Sequence, residues 1–237
     1  MKSLKKIICI LTLVTTSIST FAMNTVDLSV TGNIVPGSCN LNFVGGGLVN
    51  YGVIKAQDLS NDYTLLPEKE LSFTFACAQP TIVGFSLVTQ RPDTMVLKDT
   101  SSSESNGFGV PPIPLLEPVS NNIGTGIGLD ASGNKLGGIG FRIKNNASNL
   151  DGQFDVTKLY SNIGGDQYSH FGENDLINNA TGDVYFFGLS SSGNQPVIFN
   201  RLTGILEMQA YLNKMDELDL DQSFVLNGLV TFMLFYP

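Results

Sequence analysis

The chain carries one histidine, His170, in the polar stretch QYSHFGEND, with Glu173 and Asp175 close behind it. A catalytic metal needs three or more well-placed ligands, and a hydrolytic triad needs a base beside its nucleophile. One loop histidine with two acids makes a weak site at best, and a solvated histidine is the simpler reading. Serines are numerous, yet none sits in the G-x-S-x-G turn that lifts a nucleophile toward its base. Gly45, Gly46 and Gly47 are followed by neither the lysine nor the helix of a phosphate cradle. Asp130 and Asn134, in LDASGN, space their oxygens like the start of a calcium loop, but the remaining ligand pattern is missing. Paired carboxylates for glycoside cleavage need no local motif, and nothing here points to them. The expectation is a non-enzymatic protein with no catalytic residues, metal or cofactor.

The start of the chain, MKSLKKIICILTLVTTSISTFA, has the three parts of a secretory signal peptide. Lys2, Lys5 and Lys6 are basic, residues 7–14 are apolar, and Thr20 and Ala22 are the small residues before a cut. Residues 1–22 are therefore expected to leave, taking Cys9 with them. Removing the first 22 of 237 residues leaves 215, enough for one sizeable domain. Losing three lysines takes the formal charge from −8 to −11, which rules out a basic stripe for nucleic acid. No later apolar run reaches the roughly 20 residues of a spanning helix.

Two cysteines remain, Cys39 and Cys77. An even count in an exported chain points to a single bridge; the alternative is two separate buried thiols. A bridge spanning 38 residues would stabilise the fold by roughly 3–4 kcal/mol through chain entropy.

The elements that would position these residues read as strands. Short apolar runs recur between Gly, Ser, Asn and Thr turns, the pattern of an all-β domain. Val26, Leu28 and Val30 alternate with polar residues, as do Leu71, Phe73, Phe75 and Cys77. Residues 82–89 form a further strand, with Pro80 and Gly84 weakening its start. GIGLDASGNKLGGIGFRI reads as a hairpin of strands 126–129 and 137–143, and VYFFGLSSSGNQPVIFN as another with its turn at 190–195. Residues 202–213 and 228–236 are the last two strands, and only 156–162 and 215–220 look like helical turns. About nine strands result, enough for a two-layer sandwich. Residues 98–122, with a serine-rich stretch and four prolines, interrupt the rhythm and read as a long exposed insertion, around 98–125, in a single domain spanning 23–237.

Taken in order, VDLSVTGNIVPGSC (26–39), NYGVIKAQDLS (50–60), ELSFTFAC (70–77) and the closing VTFMLFYP resemble the fimbrial, pilin-like subunits of the bacterial chaperone–usher pathway. The GIGLDASGNKLGG hairpin is similar to a fimbrial-like group known as domain of unknown function 1120. The resemblance implies an immunoglobulin-like β-sandwich lacking its final strand. It also implies three kinds of partner. A periplasmic chaperone lends the missing strand, an outer-membrane usher receives the subunit, and the N-terminal extension of another fimbrial subunit later replaces the chaperone's strand. Localisation follows: periplasm in transit, then a fimbrium at the cell surface, or secretion, with a role in cell adhesion through a surface receptor.

The tail fits that picture. Val230, Phe232, Leu234 and Tyr236 point one way, while Leu229, Met233 and Phe235 point the other, so both faces are apolar. By the resemblance, Val230, Phe232, Leu234 and Tyr236 contact the chaperone or donor strand. The chain departs from the family pattern in two places. Only Met23, Asn24 and Thr25 precede the first alternating run, leaving little to donate, which suits a tip or capping position. Phe224 stands where such subunits usually carry glycine, with Gly228 nearer the end. The alternative is a free-standing secreted or periplasmic binding module with a complete sandwich; the absence of tryptophan to stack on sugar counts against it.

Overall fold

The computed structural model describes residues 38–99, 101–162, 167–221 and 223–237. The expected signal peptide and the strand expected at 26–34 lie outside them. The described chain is all-β, with thirteen strands in two antiparallel sheets that pack as a sandwich. Its strands are β1 (Cys39–Phe43), β2 (Thr64–Leu65), β3 (Lys69–Thr81), β4 (Gly84–Thr89), β5 (Phe108–Gly109), β6 (Gly124–Gly126) and β7 (Gly137–Ile143). They continue with β8 (Asn149–Leu150), β9 (Val156–Asn162), β10 (Ser169–His170), β11 (Asp183–Leu189), β12 (Phe199–Leu212) and β13 (Val230–Phe235).

One sheet runs β1-β3-β12-β7-β6-β5, with β2 and β8 also paired to β12; the other runs β10-β9-β11-β4-β13. β1 and β13 are thus edge strands, one in each sheet. The alternating residues of β3 explain the core: Phe73 and Phe75 are buried together with Phe85, Tyr185, Phe187 and Phe199 from both layers. Phe75 meets Phe187 at 6.0 Å and Phe199 at 6.4 Å edge-on, while Phe85 and Phe187 stack at 6.1 Å. Cys39 and Cys77 stand directly opposite each other in the β1–β3 register and are joined by a disulfide.

Two expectations are corrected. Residues 156–162 are not a helical turn but β9, paired over its whole length with β11. Val156, Thr157 and Tyr160 are residue types that favour a pleated surface, and pairing outweighs local helical spacing. The insertion is not an exposed excursion either. Its serine-rich start is largely exposed, but Leu115 and Leu116 are completely buried on the outer face of the first sheet, with Met95, Leu176 and Tyr211.

Buried polar groups tie this segment down. Leu116 N–H donates to Gln209 Oε1 at 2.7 Å, and Gln209 Nε2 donates to the Leu66 carbonyl at 3.1 Å. Arg142 pairs with Glu207 at 2.9 Å and donates to the carbonyls of Leu116 at 2.6 Å and Pro118 at 3.0 Å. The Tyr211 hydroxyl donates to the Val96 carbonyl. A sheet face that looks half polar in sequence is buried because a remote segment satisfies its polar groups.

A candidate strand-accepting groove

β1 and β13 face each other across one side of the sandwich. Their backbones can be assigned residue by residue from antiparallel alternation. Ala78 N–H bonds the Ser38 carbonyl at 2.8 Å, so Ser38, Asn40 and Asn42 spend their backbone groups on β3. Cys39, Leu41 and Phe43 consequently aim theirs away from β3. On the other edge, Gln90 N–H bonds the Leu229 carbonyl at 2.8 Å, so residues 229, 231, 233 and 235 are bound to β4. Val230, Phe232 and Leu234 therefore turn their N–H and C=O groups outward. Among the described residues no strand pairs with either free edge.

Between the edges lies an apolar groove of about 600 Å³. Leu71, Ile139, Phe141, Leu206 and Met208 line its depth, Leu41 and Phe43 one side, and Val230 and Phe232 the other. A second chamber of about 560 Å³ shares Val49, Tyr51 and Leu226 with it and continues past them. The groove opens where β1 ends. Gly45, Gly46 and Gly47 all take φ near +70° to +80°, left-handed values that only glycine adopts freely, and carry the chain off the sheet edge. The triple glycine is thus a turn, not a phosphate loop.

One end of the groove is closed. The Phe43 and Phe232 rings meet across it at 5.0 Å, and the Tyr236 hydroxyl accepts from Cys39 N–H at 2.8 Å. Burial pushes the Tyr51 phenol up to about 12, keeping it neutral where it borders both chambers.

Of the four tail residues expected to contact a partner strand, Val230, Phe232 and Leu234 lie on one side of β13 and Tyr236 lies just beyond its end. Val230, Phe232 and Leu234 are half-buried against the main core, and Tyr236 is 42 % exposed at the closed end. On the other face Leu229 and Met233 are 50 % and 55 % exposed, whereas Phe235 packs beside Leu159, Val184 and Phe186. Sequence reasoning missed the opposite wall, Leu41, Phe43, Val49 and Tyr51. The alternation of Leu41 and Phe43 was the available signal, but only sheet order brings them to the last strand.

The loop acids do not assemble. Asp175 Oδ2 accepts from Gly172 N–H at 2.9 Å, and His170 is exposed. Asp130 is spent as a turn anchor, accepting from Ser132, Asn134 and Asp219. No His, Cys, Asp and Glu cluster suited to a metal occurs among the described residues.

The fold and groove define a class, an antiparallel β-sandwich in which two edges, unpaired among the described residues, flank an apolar channel. Comparison with known proteins adds a family likeness. The family described as "Protein of unknown function (DUF1120)" matches residues 28–140, a span that includes the hairpin at 126–138 but not the tail. Protein GltF of Escherichia coli (strain K12) is 31 % identical over 84 residues, which cover 33 % of this chain and 33 % of that protein. The chain therefore spans about a third of the curated relative it matches. No solved structure matches it.

Proposed function

We propose that this chain is a non-enzymatic fimbrial or fimbrial-like surface subunit that accepts a β-strand from another polypeptide between β1 and β13. The single observation carrying this reading is the pair of facing edges. The outward backbone groups of Leu41 and Phe43 on one side, and of Val230 and Phe232 on the other, border an apolar channel. An added strand would bond both edges and bury alternate side chains, so main-chain bonds give affinity and pockets give selectivity. Filling the channel would also remove two exposed edges, which are otherwise templates for aggregation.

In this reading a periplasmic chaperone supplies the strand during export, an outer-membrane usher takes over the subunit, and a neighbouring subunit's segment follows. The protein works at the cell surface, in adhesion. Tyr236 and Phe43 limit the incoming strand to the stretch running from Phe232 toward Leu226, because Cys39 N–H is already bonded.

A second reading has its own support. The same two contacts, Tyr236 to Cys39 and Phe43 to Phe232, close one end of the groove without help, as a self-sufficient secreted or periplasmic module requires. Periplasmic expression with and without the chaperone encoded nearest this gene separates the two. Strand acceptance requires a chaperone complex, a higher soluble yield with the chaperone, and loss of the complex in Val230→Glu. A stable monomer that ignores the chaperone would sink it.

A further inference from the structure

A second cleft, of about 130 Å³, shares no lining residue with the groove. It forms where the chain leaving β7 (residues 144–148) meets residues 154–158 entering β9 and residues 170–173 after β10, so both sheets contribute. Lys158 holds it together. Its ammonium donates to Asn145 Oδ1 at 2.7 Å and to the carbonyls of Ile143 at 3.3 Å and Glu173 at 3.4 Å, while Asn145 Nδ2 donates to that same Glu173 carbonyl at 3.0 Å. This cation is spent on structure, and Lys144 is paired with Glu70.

What remains for a ligand is specific. Ser148 is only 7 % exposed, and among the described residues its hydroxyl has no hydrogen-bond partner. The side chains of Asn146, His170 and Glu173 also line the cleft and make no hydrogen bond among the described residues. Phe154, at its edge, is 70 % exposed. A scattered exposed apolar residue needs no explanation, but an aromatic face beside unspent hydroxyl, amide and carboxylate groups matches one ligand chemistry. A sugar ring presents polarised C–H groups to the negative face of an aromatic ring and hydroxyls to the polar groups around it.

We propose that this cleft binds one neutral sugar residue, its ring against Phe154 and its hydroxyls toward Ser148, Asn146 and Glu173. The volume, well below the ~300 Å³ of sites for larger ligands, limits it to a single ring. The Glu173 carboxylate, with the nearby cations already engaged, selects against an acidic sugar.

The test uses the mature full-length protein and saturation-transfer NMR at millimolar concentration with glucuronate as the acidic comparison and with four neutral sugars: glucose, galactose, mannose and N-acetylglucosamine. At least one should show transfer concentrated on its ring protons. Phe154→Ala and Ser148→Ala should each weaken that binding at least about tenfold, equivalent to ~1.4 kcal/mol. The exposed position of Phe154 leaves the unfolding midpoint unchanged. Absence of transfer from all four sugars, equal binding by Phe154→Ala, or tighter binding of glucuronate than of glucose would each overturn the proposal. Val230→Glu, which blocks the groove, should leave sugar binding intact, so failure of either proposal is distinguishable from failure of the other.

Discussion

The hydroxyl of Tyr236, one residue from the end of the chain, lies 2.8 Å from the backbone nitrogen of Cys39, 197 residues earlier, and accepts its proton. Cys39 N–H points away from β3, so without this contact it would be an unpaired edge donor. Its residue is also one half of the disulfide. β1 and the residue after β13, in different sheets, are therefore fastened here as well as through the Phe43–Phe232 ring contact.

Tyr236→Phe keeps the ring and removes the acceptor. Stability should fall by about 1 kcal/mol in denaturant unfolding. Amide exchange should accelerate at Cys39 but not at Asn40, whose backbone is bonded to β3. Equal protection at Cys39 in both proteins would contradict the contact.

Reducing the disulfide releases β1 from β3 as well as opening the loop it closes. The reduced protein should be roughly 3–4 kcal/mol less stable, seen as a lower urea midpoint. Retained stability after full reduction would mean that the β1–β3 ladder alone holds this edge.

The buried pair Arg142–Glu207 joins the insertion to the sheet. Arg142→Ala leaves the buried Glu207 with only the more distant Lys144 ammonium, at 3.6 Å, and frees the carbonyls of Leu116 and Pro118. It should cost about 3–5 kcal/mol and expose the insertion to proteolysis near residue 116. Replacing both partners by Met and Leu should recover part of that loss, because no lone charge is then buried.

Burial pushes the Lys158 ammonium down to about 8, below its ordinary 10.5. Between these values the unfolded chain binds a proton that the folded chain has released, so stability should rise with pH across that window. Below pH 8 both states are protonated and the folded state carries the full cost of the buried charge. In Lys158→Met this rise should vanish from the difference between unfolding midpoints at pH 8 and pH 10. The same slope in both proteins would assign the effect to other groups.

Much was legible in local pattern. Alternation in residues 71–77 predicted the inward Phe73 and Phe75, and turn residues marked the hairpin at 126–143. Alternation alone puts Val230, Phe232 and Leu234 of the tail on one face, since a pleated strand fixes side-chain direction at every second residue. The errors came where long-range partners decide. Residues 156–162 have helical spacing and become β9 because β11 lies beside them. Leu115 and Leu116 sit among prolines and still reach the interior, because Gln209 and Arg142, far along the chain, satisfy the backbone around them.

By itself, then, the amino-acid order determined that this is a β protein, which side chains share each strand face, and which two cysteines remain to pair. Those properties depend on neighbours one or two residues apart. Only tertiary structure decided that β1 and β13 would stand opposite each other, their outer edges free of any described strand, with a channel between them. Which edges meet depends on the order of strands within two sheets, set by the packing of segments nearly two hundred residues apart, and local periodicity carries no record of that order.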